Sequence, residues 1–318
     1  MGGVKRNSFR KNLIVITGPT ASGKSEFAMR LSEYLDIEII SADSRQVFKY
    51  MDIGTAKPGV DDLKSVKHHF IDNKKPDEYY SSGLFGNEAN EKVNELLSCG
   101  KTPVVVGGSG LYIKSLCEGF FNEEKDKRLF EIRSDLNKRL IKEGVDNLYN
   151  ELKNIDIESY NLYHEKNPRR IIRALEYYYW KGENFSKSQA DKKIEGRKFN
   201  PVYYAISHHR EKLYERINQR VIKMIDDGLV KEVESILMHP YDKNLNSLNT
   251  VGYKEIIRYL DGGLDLDTAI KEVQKNTRRF AKRQLTWFRG LESLNWIERV
   301  NYSEIILEIE KLVERNNK

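Results

Sequence analysis

The chain has 318 residues, 32% of them charged, a net charge of +6 and a mean hydropathy of −0.65. This is room for one large domain, or for a core domain with a smaller companion, and it excludes a membrane-embedded protein, because no apolar run approaches the ~20 residues needed to cross a bilayer. Two cysteines, Cys99 and Cys117, and six histidines stand without metal-ligand or redox spacing, so a transition-metal site or a disulfide framework is not expected and the cysteines read as reduced and cytosolic.

In chain order, Met1 to Lys11 is basic and lacks the apolar core of a secretory signal, and reads as a solvated tail. Leu13-Ile-Val-Ile16 is a buried strand by its apolar run. It leads into Gly18-Pro19-Thr20-Ala21-Ser22-Gly23-Lys24-Ser25, which fits G-x-x-x-x-G-K-[ST], and Glu26 to Leu35 follows as a helix. A loop of this kind at a helix N-terminus cradles a diphosphate with backbone N–H groups. Lys24 supplies a point charge to the outer phosphate, and Ser25 a hydroxyl for Mg²⁺. The alternative is a glycine-rich turn with no ligand.

A second strand, Ile37 to Ser41, ends in Ala42-Asp43-Ser44-Arg45-Gln46. A third, Thr102 to Val106, ends in Gly107-Gly108-Ser109-Gly110 and opens a helix from Leu111. A fourth, Val202 to Ser207, precedes a helix marked by Leu213, Ile217, Val221 and Met224. Apolar strands alternating with helices predict an α/β fold of the P-loop NTPase type, a parallel sheet with helices on both faces. Ligands of such sheets bind beyond the carboxyl ends of the strands, where the phosphate loop, Asp43 and Ser109 all fall.

From about Phe121 to Asn200 the sequence becomes strongly charged with helical period. It predicts a helical insertion domain over 121–200, between a first part of the core over 1–120 and its completion with C-terminal helices over 201–318. A last helical stretch from Ile256 to Trp287 is broken at Asp261-Gly262-Gly263, and Val313 to Lys318 reads as a fraying terminus.

Three roles compete for Asp43: magnesium ligand, general base or helix N-cap. Ser109 is either a positioning hydroxyl or part of a plain glycine turn. Asn276 to Arg289 carries five cations and no acid, interleaved with Phe280, Trp287 and Phe288. Either the aromatics are core and the cations a solvated face, or the segment follows a phosphate backbone and stacks unpaired RNA bases. Lys166 to Arg173 holds a second cationic cluster, with Arg170 and Arg173 on one helix face.

The ordered set of segments resembles the bacterial tRNA dimethylallyltransferases. The matching stretches are residues 18–25, Ser-Ala-Asp-Ser-Arg-Gln at 41–46, Met-Asp-Ile-Gly-Thr-Ala-Lys-Pro at 51–58 and His-His-Phe-Ile-Asp at 68–72. They continue with Val-Val-Gly-Gly-Ser-Gly-Leu-Tyr-Ile at 105–113, Arg-Arg-Ile-Ile-Arg-Ala-Leu-Glu at 169–176, Thr-Val-Gly-Tyr-Lys-Glu at 250–255 and Ala-Lys-Arg-Gln-Leu-Thr-Trp-Phe-Arg at 281–289. The resemblance implies transfer of a dimethylallyl group from dimethylallyl diphosphate to N6 of adenosine 37 in tRNA, with Mg²⁺ as cofactor, by a cytoplasmic monomer. It makes Asp43 the general base, Ser109 the usual threonine at the target nucleotide, and Arg220 in Arg-Ile-Asn-Gln-Arg an arginine at the diphosphate beside residues 18–25.

It also implies tRNA contacts by Asp43, Ser44, Arg45, Gln46 and Ser109, and by Arg133, for which Arg128 competes. In the same way it assigns to tRNA Arg169 (where the family usually has Gln), Arg170, Ile171, Ile172 and Arg173. Asn249, Thr250, Val251, Gly252, Tyr253 and Lys254 follow, then Lys282, Arg283, Gln284, Leu285, Thr286, Trp287, Phe288 and Arg289. The rivals are a P-loop small-molecule kinase, an adenylate isopentenyltransferase and an RNA-binding nucleotide switch.

Overall fold

A computed structural model describes residues 10–119, 126–190, 199–291 and 293–316. Residues 1–9 of the basic N-terminal stretch, the expected start of the insertion at Phe121 and the last two residues lie outside the described residues, and Lys11, expected in the tail, belongs to the first strand. The chain divides into two compact units, 1–118 with 196–318, and 119–195.

The first unit begins with β1 (Lys11–Thr17), α1 (Lys24–Ser32), β2 (Ile37–Ser41), α2 (Val60–Ser65), β3 (His68–His69), α3 (Ser82–Ser98), β4 (Thr102–Val106) and α4 (Gly110–Glu118). The second unit is helical over its described elements: α5 (Lys127–Glu143), α6 (Val145–Ile155), α7 (Ile157–Leu162), α8 (Pro168–Lys181) and α9 (Phe185–Ala190). The chain then returns to the first unit with β5 (Phe199–Ile206), α10 (Arg210–Asp226), α11 (Leu229–Met238), α12 (Tyr253–Leu260), α13 (Leu266–Phe288), β6 (Leu294–Ile297) and α14 (Tyr302–Glu314).

The described strands form one sheet in the order β3-β2-β4-β1-β5-β6, with every pairing parallel. Alternation along β1 splits the core. Leu13 and Val15 face one side, where α3, α4, α11 and α12 pack. Ile14 and Ile16 face the other, against Phe27 and Leu31 of α1 and Ile306 and Ile309 of α14. This two-sided burial is why the strands read as continuous apolar runs.

Four strands were expected and six are present among the described residues. The two additions are edge strands: β3 is two residues long, too short for any pattern, and Leu294-Asn-Trp-Ile297 buries only Ile297 fully.

The helical unit has its own core, built on Leu129, Leu136, Leu148, Leu152, Ile171, Leu175 and Trp180. Inside it, Glu176 is buried and accepts hydrogen bonds from Arg133 and Arg173. No helix among the described residues is long and apolar enough to cross a membrane.

The carboxyl ends of β2 and β4 come together closely. A Cβ on Gly107 would stand 2.1 Å from the carbonyl oxygen of Ala42, so only glycine permits the approach. Gly107→Ala should destabilise the protein by about 1–3 kcal/mol, as expected for overpacking. Ala42→Gly should give no rescue, because the obstacle is a backbone carbonyl. Denaturant midpoints of the single and double variants check this, and an unchanged midpoint in Gly107→Ala would contradict the packing.

Candidate functional site

The phosphate loop leaves β1 through Gly18 (φ 135°), Ala21 (φ 62°) and Gly23 (φ 100°). Gly18 is the tightest of these, since a Cβ there would lie 3.1 Å from Ile206 O. Gly23 offers no side-chain cap to α1, so the first N–H groups of that helix stay available to an anion. Lys24 folds back across the loop and donates to Pro19 O at 2.8 Å.

Neighbouring elements hold the loop from outside. Before α10, His208 Nε2 lies 2.7 Å from Ser22 O, and from α10 Arg216 donates to Ala21 O at 2.8 Å. From α13, Gln284 accepts the Thr20 N–H at 2.9 Å and donates to Gly108 O at 2.8 Å.

The segment after β2 is fixed by Asp43. Its Oδ1 accepts the N–H of Arg45 at 2.9 Å and that of Gln46 at 3.4 Å. Both hydrogen bonds fall on the same oxygen, so Asp43 caps its own turn with half of its carboxylate. Ser109 accepts the Ser44 N–H at 2.9 Å through its hydroxyl, while its own N–H donates to Ala42 O. Gln46 is spent on the 55–56 loop, donating to Ala56 O at 3.0 Å, and Arg45 donates to Asn246 O at 2.8 Å.

These turns enclose a cavity of about 180 Å³. Lys24, Ser25 and Arg220 line it together with Thr20, Asp43, Gln46, Gly107, Gly108, Phe280 and Gln284, and Ala28, Met29, Ile39 and Val106 supply an apolar wall. A cationic end, a carboxylate and an apolar wall thus share one space. Burial pushes the Lys24 ammonium down to about 8, the nearby Arg220 charge adds to this, and Asp43 opposes it. Arg220 is lowered by burial as well, again with Asp43 opposing. Two desolvated cations side by side favour an anionic ligand between them.

The expected loop residues 18–25, Asp43, Ser109 and Arg220 therefore meet at one sheet edge. Several residues expected to touch RNA have buried side chains. Ile171, Ile172, Tyr253, Gln284 and Phe288 are buried: the two isoleucines in the helical core, Phe288 under the sheet, and Tyr253 bonded to Glu232 and packed over Gly54. Gly252 is buried at the start of α12. Trp287 lies against Gly110, where a Cβ would come within 2.4 Å of the indole.

The second cationic cluster is largely neutralised within its own unit. Lys166 pairs with Asp146, Arg170 with Glu165, and Arg173 and Arg133 with Glu176. Asn249, Lys254, Lys282, Arg283, Thr286, Arg289 and Arg169 are exposed, and Thr250, Val251 and Leu285 partly so. The Arg216 support is a site feature the sequence reading did not single out, whereas Gly107 and Phe280, named there within the glycine turn and the aromatic cluster, both line the cavity. The double glycine and the cation-flanked phenylalanine are the signals that carried them.

The family model for IPP transferase matches residues 46–291. A tRNA dimethylallyltransferase of Acetivibrio thermocellus is 43% identical over 290 residues, 91% of this chain and 92% of that protein. One from Christiangramia forsetii is 46% identical over 286 residues, 90% and 93% respectively. Among solved structures, the tRNA isopentenylpyrophosphate transferase of Bacillus halodurans superposes with a TM-score of 0.70 at 34% identity, covering 97% of this chain and 98% of that one. A eukaryotic dimethylallyltransferase acting on tRNA gives 0.78 at 25% identity, covering 95% and 78%.

The depressed Lys24 ammonium makes anion binding pH-dependent. Lys24 is charged below about 8 and loses its proton above it, whereas a bound diphosphate favours the charged form. Affinity for dimethylallyl diphosphate, measured calorimetrically, should be greatest below that value and fall as the pH rises through it, by up to about tenfold per pH unit for one linked proton. Lys24→Arg, charged throughout, should flatten the profile. A flat wild-type profile would remove Lys24 from the anion site.

Proposed function

This chain belongs to the IPP transferase family, and from that premise we propose that it transfers a dimethylallyl group from dimethylallyl diphosphate to N6 of adenosine 37 in tRNA. The observation that carries the reading is the shared cavity: a phosphate loop with Lys24 and Arg220 at one end, and Asp43 within the same space.

The chemistry follows from what each end offers. Adenine N6 is a poor nucleophile, because its lone pair is delocalised into the ring. As the N6–C1 bond forms and the C1–oxygen bond breaks, N6 must lose a proton and the diphosphate gains negative charge. In this reading Asp43 accepts the proton. Its Oδ1 is held by two backbone N–H groups, which fixes the carboxylate and leaves Oδ2 for the base. Ser109, bonded to the Ser44 N–H, holds the same turn and positions it.

At the other end Lys24, Arg220 and the uncapped N–H groups of α1 stabilise the leaving diphosphate where its charge develops. The apolar wall of Ala28, Met29, Ile39 and Val106 suits a five-carbon chain and keeps water from the allylic carbon. Magnesium fits beside Ser25, whose exposed hydroxyl follows Lys24 at the start of α1. A hard ion held by one hydroxyl and phosphate oxygens retains its waters, and when bound it would neutralise leaving-group charge. The reading carries with it a monomer working in the cytoplasm.

The direct test is incubation with unmodified tRNA, magnesium and dimethylallyl diphosphate, followed by nucleoside mass analysis. One five-carbon unit on a tRNA adenine, with ATP left intact, is expected. Steady ATP turnover with no gain in mass on tRNA would replace this reading by a kinase or a nucleotide switch.

Asp43→Asn separates the roles of the carboxylate. Asparagine keeps an oxygen for the Arg45 and Gln46 N–H groups, so the turn should persist. Loss of the proton acceptor should slow the single-turnover step by ~10² to 10⁴, with dimethylallyl diphosphate affinity nearly unchanged. Near-normal turnover would leave Asp43 as a turn cap alone, and a parallel loss of diphosphate affinity would make it a metal holder.

A further inference from the structure

Phe280 is the large apolar side chain on α13 that the core does not take up. Its neighbours Ala281, Gln284 and Phe288 are buried, while Phe280 keeps 38% of its surface exposed. It nonetheless lines the same cavity as Lys24, Asp43 and Gly108. One turn later, the exposed guanidinium of Arg283 lies 5.8 Å from the centre of its ring. Among the described residues Arg283 has no carboxylate partner.

We propose that Phe280 is a stacking platform for the extruded adenine, set at the outer lip of the cavity and backed by Arg283, and hence a positioning residue for the nucleobase. The inference rests on the reading that the site takes an adenine from RNA. An adenine within an anticodon loop is stacked on its neighbours and must leave that stack to reach a carboxylate inside the cavity. An aromatic face at the mouth replaces part of the stacking it gives up.

The ring has a rival use, stabilising positive charge on the allylic carbon. The Arg283 contact argues against it. The negative face of the aromatic quadrupole already has a guanidinium over it, and a second cation at the same ring would meet that positive charge. A neutral base meets no such opposition and stacks on an aromatic whatever its sequence neighbours. Exposure points the same way, since a group serving the allylic cation belongs beside the apolar wall that keeps water from that carbon.

Binding without chemistry tests this independently of prenyl transfer. Unmodified tRNA is compared with the same tRNA lacking the base at position 37, by fluorescence anisotropy in the absence of dimethylallyl diphosphate. The wild-type protein should favour the intact tRNA by about 5- to 100-fold, the range for loss of one base–aromatic stack. Phe280→Ala should bring that ratio near one, Phe280→Tyr should keep it, and Phe280→Leu should fall with alanine although it keeps most of the apolar area. Because Phe280 is exposed, these variants should retain wild-type thermal stability. A wild-type protein indifferent to the missing base, a Phe280→Ala variant that still discriminates, or a Phe280→Leu variant equal to wild type would each overturn the proposal. Failure of the function reading would appear elsewhere, as wild-type protein that adds no mass to tRNA.

Discussion

One side-chain amide ties the site together. Gln284 accepts the Thr20 N–H of the phosphate loop and donates to Gly108 O of the turn after β4. Its two ends have opposite hydrogen-bonding character, so one side chain joins a donor on the β1 exit to an acceptor on the β4 exit. The approach depends on glycine, because a Cβ on Gly108 would stand 2.4 Å from the Gln284 amide nitrogen. The amide is buried, where an unpaired polar group costs about 1–3 kcal/mol. The loop, the Ser109 turn and α13 are therefore placed as a set.

The second constraint is electrostatic. Lys24 and Arg220 are both desolvated, and Asp43 is the counter-charge both of them sense. Two desolvated cations against one carboxylate leave the free site with an excess of positive charge, which favours a bound anion.

Much of this was legible in the sequence. The strands Leu13–Ile16, Ile37–Ser41 and Thr102–Val106 are buried on both faces, so their apolar runs announce them, and their three exits carry the loop, Asp43 and Ser109. The fourth, expected at Val202–Ser207, runs from Phe199 to Ile206 and is continuously buried only toward its end. β3 and β6 were not legible, being short edge strands whose pairing is set by the sheet rather than by their own pattern. For the basic stretch at 278–289 the sequence left open whether its aromatics are core, and the helix divides them: Phe288 is buried and Phe280 is not. Gln284 and Phe288 face the core, while Lys282, Arg283, Thr286 and Arg289 face solvent. Nor could spacing show that Arg133 and Arg173 share the buried Glu176, since that pairing depends on the packing of α5 against α8.

A phosphate loop serves carbon transfer as naturally as phosphoryl transfer, because its physical task is the same. It binds a diphosphate by N–H groups and a lysine that need no reorganisation as charge grows on it. What differs is which bond beside that diphosphate breaks, and this depends on the neighbours at the open end. Here the open end holds an apolar wall and a turn-held carboxylate in one cavity. In the proposed reaction the apolar wall excludes the water that would capture an allylic cation, and the carboxylate takes the proton of the amine as the new bond forms. There the loop selects the leaving group, and the exits of β2 and β4 decide what replaces it.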